Sequence, residues 1–281
     1  MDIVRSYADL EKIISGWKKE KRRISFVPTM GALHEGHISL VRIAIDNANK
    51  CVASIFVNPA QFAPHEDFSA YPRDQESDLE KLRDAGVHLV YIPQEKEIYP
   101  QGAVADLQAG LAAAGLETDF RLHFFNGVVS VLARLFDQVM PDVAVFGEKD
   151  YQQLCVVREL VKDLNSEIEI IGGLIVRDEE GLALSSRNAY LSETELKIAR
   201  RFNQVLYSLA ESLKAAPDEV GEIVPGGVLR LREAGFDEVD YVELRQANTL
   251  KPVTKIAGDG SARLLAAVRI GKTRLIDNVA V

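Results

Sequence analysis

The stretch Pro28-Thr29-Met30-Gly31-Ala32-Leu33-His34-Glu35-Gly36-His37 carries two histidines three residues apart, with a glycine on either side of the pair's first member. It follows the apolar run ISFVP and leads into Leu40, Val41, Ala44 and Ile45 at helical spacing, so the pattern predicts strand, loop and helix N-terminus. Such a terminus offers backbone N–H groups and the positive end of the helix dipole to an anion. Residues three apart on a helical turn share a side, so two imidazoles here could donate hydrogen bonds to a phosphate as charge develops on it. Gly31 and Gly36 permit close backbone approach. The spacing is not the HExxH of zinc hydrolases, where the histidines are four apart and the glutamate is the base. His65, His88 and His123 are the other histidines that a metal could recruit.

A second cluster, Gly147-Glu148-Lys149-Asp150, closes the run PDVAVFG and is followed by Gln152 and Gln153. Lys149 is a compact positive charge suited to a phosphate, and Asp150 could accept hydrogen bonds from a ribose hydroxyl. A third, Leu184-Ser185-Ser186-Arg187, places two hydroxyls and a guanidinium in one loop after Arg177-Asp178-Glu179-Glu180-Gly181, another oxyanion-binding set. By itself each cluster is a weak signal: a lone GEKD is usually a solvated turn, and two histidines near a turn are as readily structural. Three together, two of them at predicted strand ends, point to a nucleotide site without a P-loop. The GKT at 271–273 is not a P-loop remnant, because the required upstream glycine would fall on Ala266 and the tripeptide sits in a predicted hairpin.

The elements that must position these clusters alternate along the first 180 residues. Ser6 is placed to cap a helix with Leu10, Ile13, Ile14 and Trp17 on one face. The runs ISFVP, CVASIFVN, VHLVYIP and PDVAVFG read as buried strands, separated by helical stretches such as RDQESDLEKLRDAG, with Gly86 at its C-terminal end, NGVVSVLARLFDQVM and YQQLCVVRELVKDL. That alternation predicts an α/β fold, a Rossmann-like parallel sheet with helices on both faces, in which ligands bind beyond the carboxyl ends of the strands. After residue 184 the texture changes. Ser192 with Glu195 forms a capping box opening a long helix through Leu206, Leu209 and Leu213; a second helix spans 218–234, and YVELR and ARLLAAVRI alternate like strands. The reading is two domains, 1–184 and a smaller α+β domain over 185–281.

Composition bounds the function class. The 281 residues are 47% hydrophobic and 27% charged, which are globular proportions. Acidic residues outnumber basic ones, 42 to 33, and a net charge of -9 argues against nucleic-acid or membrane-surface binding. Two cysteines, Cys51 and Cys155, are too few for a disulfide scaffold and read as buried free thiols. No signal peptide or membrane span is legible, so a soluble, cytoplasmic protein is expected.

Beyond these residue-level readings, the sequence resembles the pantothenate synthetase family, the AMP-forming pantoate–β-alanine ligases of the nucleotidylyltransferase superfamily. PTMGALHEGH matches the family's HIGH-type signature, and IFVNPAQF (55–62), YPR (71–73), FGEKDYQQL (146–154), GLALSSRN (181–188) and RLIDN (274–278) follow in order. The resemblance spans essentially the whole chain. It implies condensation of (R)-pantoate with β-alanine to pantothenate, the coenzyme A precursor, through pantoyl adenylate, with ATP as substrate, Mg²⁺ held mainly by the ATP phosphates, and a homodimer. It assigns Met30, Gly31, Ala32, Leu33, His34, Glu35, Gly36 and His37 to ATP, with His34 and His37 on the phosphates and His37 the proton donor. Gly147, Glu148, Lys149 and Asp150 would cradle ATP, Val176 would touch the adenine, and Leu184, Ser185, Ser186 and Arg187 would close on the phosphates. Gln61 would contact pantoate and then β-alanine, and Gln153 pantoate. Catalysis would rest on His34, His37, Lys149, Ser185, Ser186 and Arg187. One segment departs from the family: where a basic stretch with a Pro-Gly turn is usual, this chain has Arg121-Leu122-His123-Phe124-Phe125-Asn126-Gly127, so no functional residue is carried over from it. The rival readings are a nucleotidyltransferase that keeps the nucleotide in its product, a zinc hydrolase built on HEGH, and a silent nucleotide-binding module.

Overall fold

The near-continuous apolar runs pair side by side, as strands buried on both faces must. The computed structural model describes residues 1–62, 68–102, 105–257 and 261–281; His65 lies outside the described residues. The chain divides into two units, Met1–Glu148 with Val156–Leu174, and Lys149–Cys155 with Ile175–Val281.

In the first unit β1 (Asp2–Val4), β2 (Ile24–Thr29), β3 (Lys50–Ile55), β4 (Leu89–Tyr91), β5 (Val143–Gly147) and β6 (Glu169–Gly173) form one sheet in the order β1-β4-β3-β2-β5-β6. Every neighbouring pair is parallel. The helices are α1 (Tyr7–Lys19), α2 (Glu35–Asp46), α3 (Gln75–Asp84), the short α4 (Glu95–Ile98) and α5 (Glu117–Phe120), α6 (Phe124–Val139) and α7 (Tyr151–Asp163). Alternate strand residues face opposite ways. Val27, Cys51, Ala53, Val90, Val143 and Val145 pack against Leu40, Val41 and Ala44 of α2 and Leu82 of α3. On the other face Phe136 of α6 meets Phe26 and Phe146 edge-on, with ring centroids 6.4 and 6.5 Å apart. Ser6 caps α1, as its position predicts, and Gly86 follows α3 at φ +87. Cys51 and Cys155 are buried free thiols, and burial pushes the Cys51 thiol up to about 12.

The sequence pattern does not announce β1 or β6, because both are edge strands. β1 buries a single residue, and β6 (EIIGG) is only partly covered and carries two glycines. Pairing with a neighbour, rather than their own hydrophobicity, makes them strands.

In the second unit β7 (Glu238–Gln246), β8 (Ala262–Ile270) and β9 (Thr273–Ala280) form an antiparallel sheet, and the GKT tripeptide is the β8–β9 turn with Gly271 at φ +54. The expected long helix is two, α8 (Glu193–Ala199) and α9 (Arg201–Ala215), joined at Arg200, whose guanidinium pairs with Asp178 and Glu180. Ser192 and Glu195 form the anticipated capping box. With α10 (Val220–Glu233) these helices cover one sheet face, burying Phe202, Leu206, Leu209, Leu231, Leu264, Ala266, Val268, Leu275 and Val279. No helix among the described residues is long and apolar enough to cross a membrane.

One close approach fixes the rim of the first unit's sheet. Gly127 of α6 lies against the 3-10 turn Pro59–Gln61, and a Cβ there would stand 2.6 Å from the Ala60 carbonyl carbon and 2.7 Å from Gln61 Cα. Backbone cannot yield as a side-chain tip can. Gly127→Ala should therefore lose about 1–3 kcal/mol in urea denaturation. Gly16→Ala, inside α1 with nothing within 4 Å of the added methyl, should instead gain about 0.5–1 kcal/mol.

Candidate active site

The strand order reverses between β2 and β5, so the loops leaving their carboxyl ends flank the sheet's switch point, where open α/β sheets bind ligands. The loop after β2 is tightly wound. Gly31 has φ +83 and Ala32 φ +51, a left-handed pair. The buried carboxylate of Asp78 on α3 accepts from Ala32 N (2.9 Å) and Leu33 N (2.7 Å), while Lys81 Nζ donates to Leu33 O (2.7 Å). Thr29 Oγ1 accepts from Gly31 N (3.2 Å). A Cβ on Gly31 would stand 2.9 Å from Asp78 Oδ2, so the position takes glycine for space as well as for φ.

This winding delivers His34 as the N-cap of α2. Its Nδ1 accepts from Gly36 N (3.2 Å), and His37 Nδ1 accepts from His34 N (3.3 Å), a capping box built of imidazoles. The ring centroids lie 4.2 Å apart. An Nδ1 that accepts carries no proton, so each neutral ring holds its hydrogen on Nε2. The sequence pattern points backbone N–H groups at the anion; in the structure those of Gly31, Ala32, Leu33, His34 and Gly36 are engaged by Thr29, by Asp78 of α3 and by the two imidazoles. The Glu35 carboxylate pairs with Arg42. Among the described residues no group of three or more His, Cys, Asp or Glu side chains is placed to hold a metal ion, so the zinc-hydrolase reading lacks a ligand set there.

Gln61 comes to the same loop: its Nε2 donates to Met30 Sδ (2.9 Å) and its Oε1 accepts from Asn58 Nδ2 (3.1 Å). Asn58, buried at 1% exposure, also donates to Gly127 O and accepts from Tyr99 OH (2.7 Å). Burial pushes the Tyr99 phenol up to about 12, so it stays a donor. Gly147 ends β5 and Glu148 opens the next turn. In the atypical 121–127 segment the Arg121 guanidinium lies 3.7 Å from the Phe124 ring centroid, and Phe124 begins α6.

The remaining candidates belong to the second unit. Lys149 and Asp150 precede α7, and Gln153 sits in its first turn. Leu184 N donates to Val176 O (2.9 Å), and Arg177 bridges Ala183, so 176–184 is a hairpin leading directly into Ser185, Ser186 and Arg187. Ser185 Oγ accepts from Arg187 N (3.3 Å) and caps the 3-10 turn Ser186–Tyr190. Burial opposes ionisation of Asp178 at the hairpin tip, but hydrogen bonds from Arg200 and from the Leu182 and Glu180 amides outweigh it and hold the carboxyl below its ordinary range. Sequence reasoning assigned no role to Asp78, Asn58, Asp277 or Asn278; the IFVNPAQF block contains Asn58 and the RLIDN block the last two, and nothing pointed to Asp78.

Two measurements check this geometry. In ¹⁵N-resolved NMR at neutral pH, His34 and His37 should show the Nε2–H tautomer; an Nδ1–H pattern would contradict the imidazole capping box. Asp78→Asn replaces one accepting oxygen by a donor facing an amide N–H and should cost about 1–3 kcal/mol in thermal unfolding.

Known proteins agree with this architecture. The family model described as pantoate-beta-alanine ligase matches residues 2–280. The chain is 50% identical to a pantothenate synthetase of Mesorhizobium japonicum over 281 residues, covering 99% of this chain and 97% of that one. It is 47% identical to one of Rhodospirillum rubrum, covering 100% and 99%. A solved pantothenate synthetase of Thermus thermophilus superposes with TM-score 0.91 at 41% identity, over 99% of each chain. A pantoate-beta-alanine ligase of Francisella tularensis, solved with beta-gamma ATP and beta-alanine, gives TM-score 0.82 at 33% identity, over 100% of this chain and 97% of that one. The chain belongs to the pantoate–β-alanine ligase family.

Proposed function

We propose that this chain joins (R)-pantoate to β-alanine with consumption of ATP, through a pantoyl-adenylate intermediate, releasing AMP and pyrophosphate. The observation that carries the reading beyond family membership is the His34–His37 pair at the sheet's switch point, each ring preset as an Nε2–H donor.

In the first step the pantoate carboxylate attacks the α-phosphorus and the bond to pyrophosphate breaks. Two anionic reactants repel, so positioning and charge neutralisation carry the step. His34 and His37 supply Nε2–H hydrogen bonds to phosphate oxygens, while Lys149 and Arg187 supply full positive charge and Ser185 and Ser186 supply hydroxyls. Gln61 and Gln153 orient pantoate. Gln61 is suited to that task, since Asn58 and Met30 set its amide. In the second step the β-alanine amine attacks the acyl carbon and AMP leaves; no protein nucleophile is required. Mg²⁺ would be held mainly by the ATP phosphates, where it would neutralise part of their charge. The donor set of imidazole, ammonium, guanidinium and hydroxyl groups suits phosphate oxygens rather than a bare cation. A homodimer in the cytoplasm is the state we assign to it.

The test is pantoate-dependent exchange of labelled pyrophosphate into ATP without β-alanine. Wild-type protein should support it, and folded protein without exchange would defeat the reading. Lys149→Ala should lower the exchange rate about 10²–10³-fold, as loss of a charged phosphate donor does, with an unchanged circular dichroism spectrum.

A further inference from the structure

Adjacent residues of one strand, Asp277 and Asn278 of β9, are buried at 3% and 2% exposure, and point to opposite faces of the three-stranded sheet. On the helix-covered face Asp277 takes Arg177 in a bidentate pair, Nη1 to Oδ2 at 2.6 Å and Nη2 to Oδ1 at 2.9 Å. Arg177 Nη1 also donates to Gly181 O (3.1 Å), and the Asn203 amide lies beside the same guanidinium, its oxygen accepting (2.8 Å) in the orientation that satisfies both groups. Arg177 begins the hairpin that ends at Leu184, so this pair fixes the base from which Ser185–Arg187 departs. On the other face Asn278 Nδ2 donates to Lys149 O (3.0 Å), while its Oδ1 accepts from Arg263 Nε (2.6 Å). The Arg263 guanidinium lies 4.0 Å from the ring centroid of Tyr151, and Cys155 Sγ contacts Ala247 O at 3.5 Å. The segment 149–155 is thus held on this face of the sheet by β8, β9 and the end of β7.

We propose that the Asp277–Asn278 dipeptide is the positioning element for two separate parts of the ATP site, holding the Lys149 backbone on one face of β9 and the Ser185–Arg187 loop on the other. The inference rests on the ATP-site reading above. Neither residue need touch substrate. Asp277 and Asn278 act through Lys149 and Arg187, whose charges must meet phosphate oxygens to well within about 1 Å, a misplacement that costs of the order of 10²-fold in rate.

Asn278→Asp tests it with the least disturbance. The acceptor for Arg263 remains, while an oxygen replaces the donor facing Lys149 O. Hydrogen–deuterium exchange of the intact protein without nucleotide should become faster in 148–152 and stay at the wild-type rate in 183–188. The KM for ATP should rise at least tenfold, with the KM for β-alanine within twofold, in protein that folds with a lowered melting temperature. Asp277→Asn should reverse the pattern, loosening 183–188 and sparing 148–152; if it fails to fold, Asn278→Asp decides alone. Active wild-type protein beside an Asn278→Asp variant with unaltered exchange in 148–152, or with an unaltered KM for ATP, overturns the inference while leaving the ligase reading intact. Wild-type protein without pyrophosphate exchange overturns that reading and this inference with it.

Discussion

A single buried carboxylate makes the turn after β2 possible. Gly31 and Ala32 stand in the left-handed region one after the other, and for Ala32 that conformation costs about 1 kcal/mol or more. Asp78 accepts from the amides of Ala32 and Leu33, and each such charge-assisted bond contributes about 1.5–3 kcal/mol. The bonds win, and Lys81 secures the Leu33 carbonyl from one helical turn further along α3. Without that winding the chain would enter α2 at another angle, and His34 would not be its N-cap. The tautomers of both histidines, and hence what they can offer a phosphate, follow from a contact on a helix 46 residues away in sequence.

The net charge of -9 belongs to the exterior and has little say at the candidate site. Around the β2 loop the side-chain donors are imidazoles, and the buried carboxylate of Asp78 is already occupied by backbone amides. In the second unit the full charges gather: Lys149 and Arg187 as candidates, and Arg177, whose charge is cancelled by Asp277 at 1% side-chain exposure. Removing one member of such a pair is costly because the other stays buried and unneutralised. Arg177 is therefore a structural cation, although a bare sequence cannot tell it from a phosphate ligand.

Much of this was legible in the residues. ISFVP, CVASIFVN and PDVAVFG became β2, β3 and β5, because a strand covered on both faces must be apolar throughout, and these three set the switch point. The Ser192–Glu195 box and the β8–β9 turn were also readable, since capping and turn chemistry are local. What escaped shares a physical character. β1 and β6 are edge strands whose identity comes from a partner. Asp78, Asn58 and Asn278 act through hydrogen bonds to backbone amides or carbonyls, and such partners leave no residue-type signature. Even for the histidines, spacing told which two would meet but not that their Nδ1 atoms would be spent on capping.

That last point changes the chemistry assigned to the loop. A helix N-terminus binds anions through N–H groups whose positions are fixed by the backbone, giving a site equally ready for any anion of the right size. In this loop those amides already bind Thr29, Asp78 and the imidazoles. The histidines add side-chain donors that reach further from the helix. A backbone amide donates in a direction that the main chain fixes; an imidazole with its Nδ1 restrained and its hydrogen on Nε2 donates from the tip of a side chain. The capping box thus sets the orientation of two imidazoles at the start of α2, where a plain helix N-terminus would present only backbone.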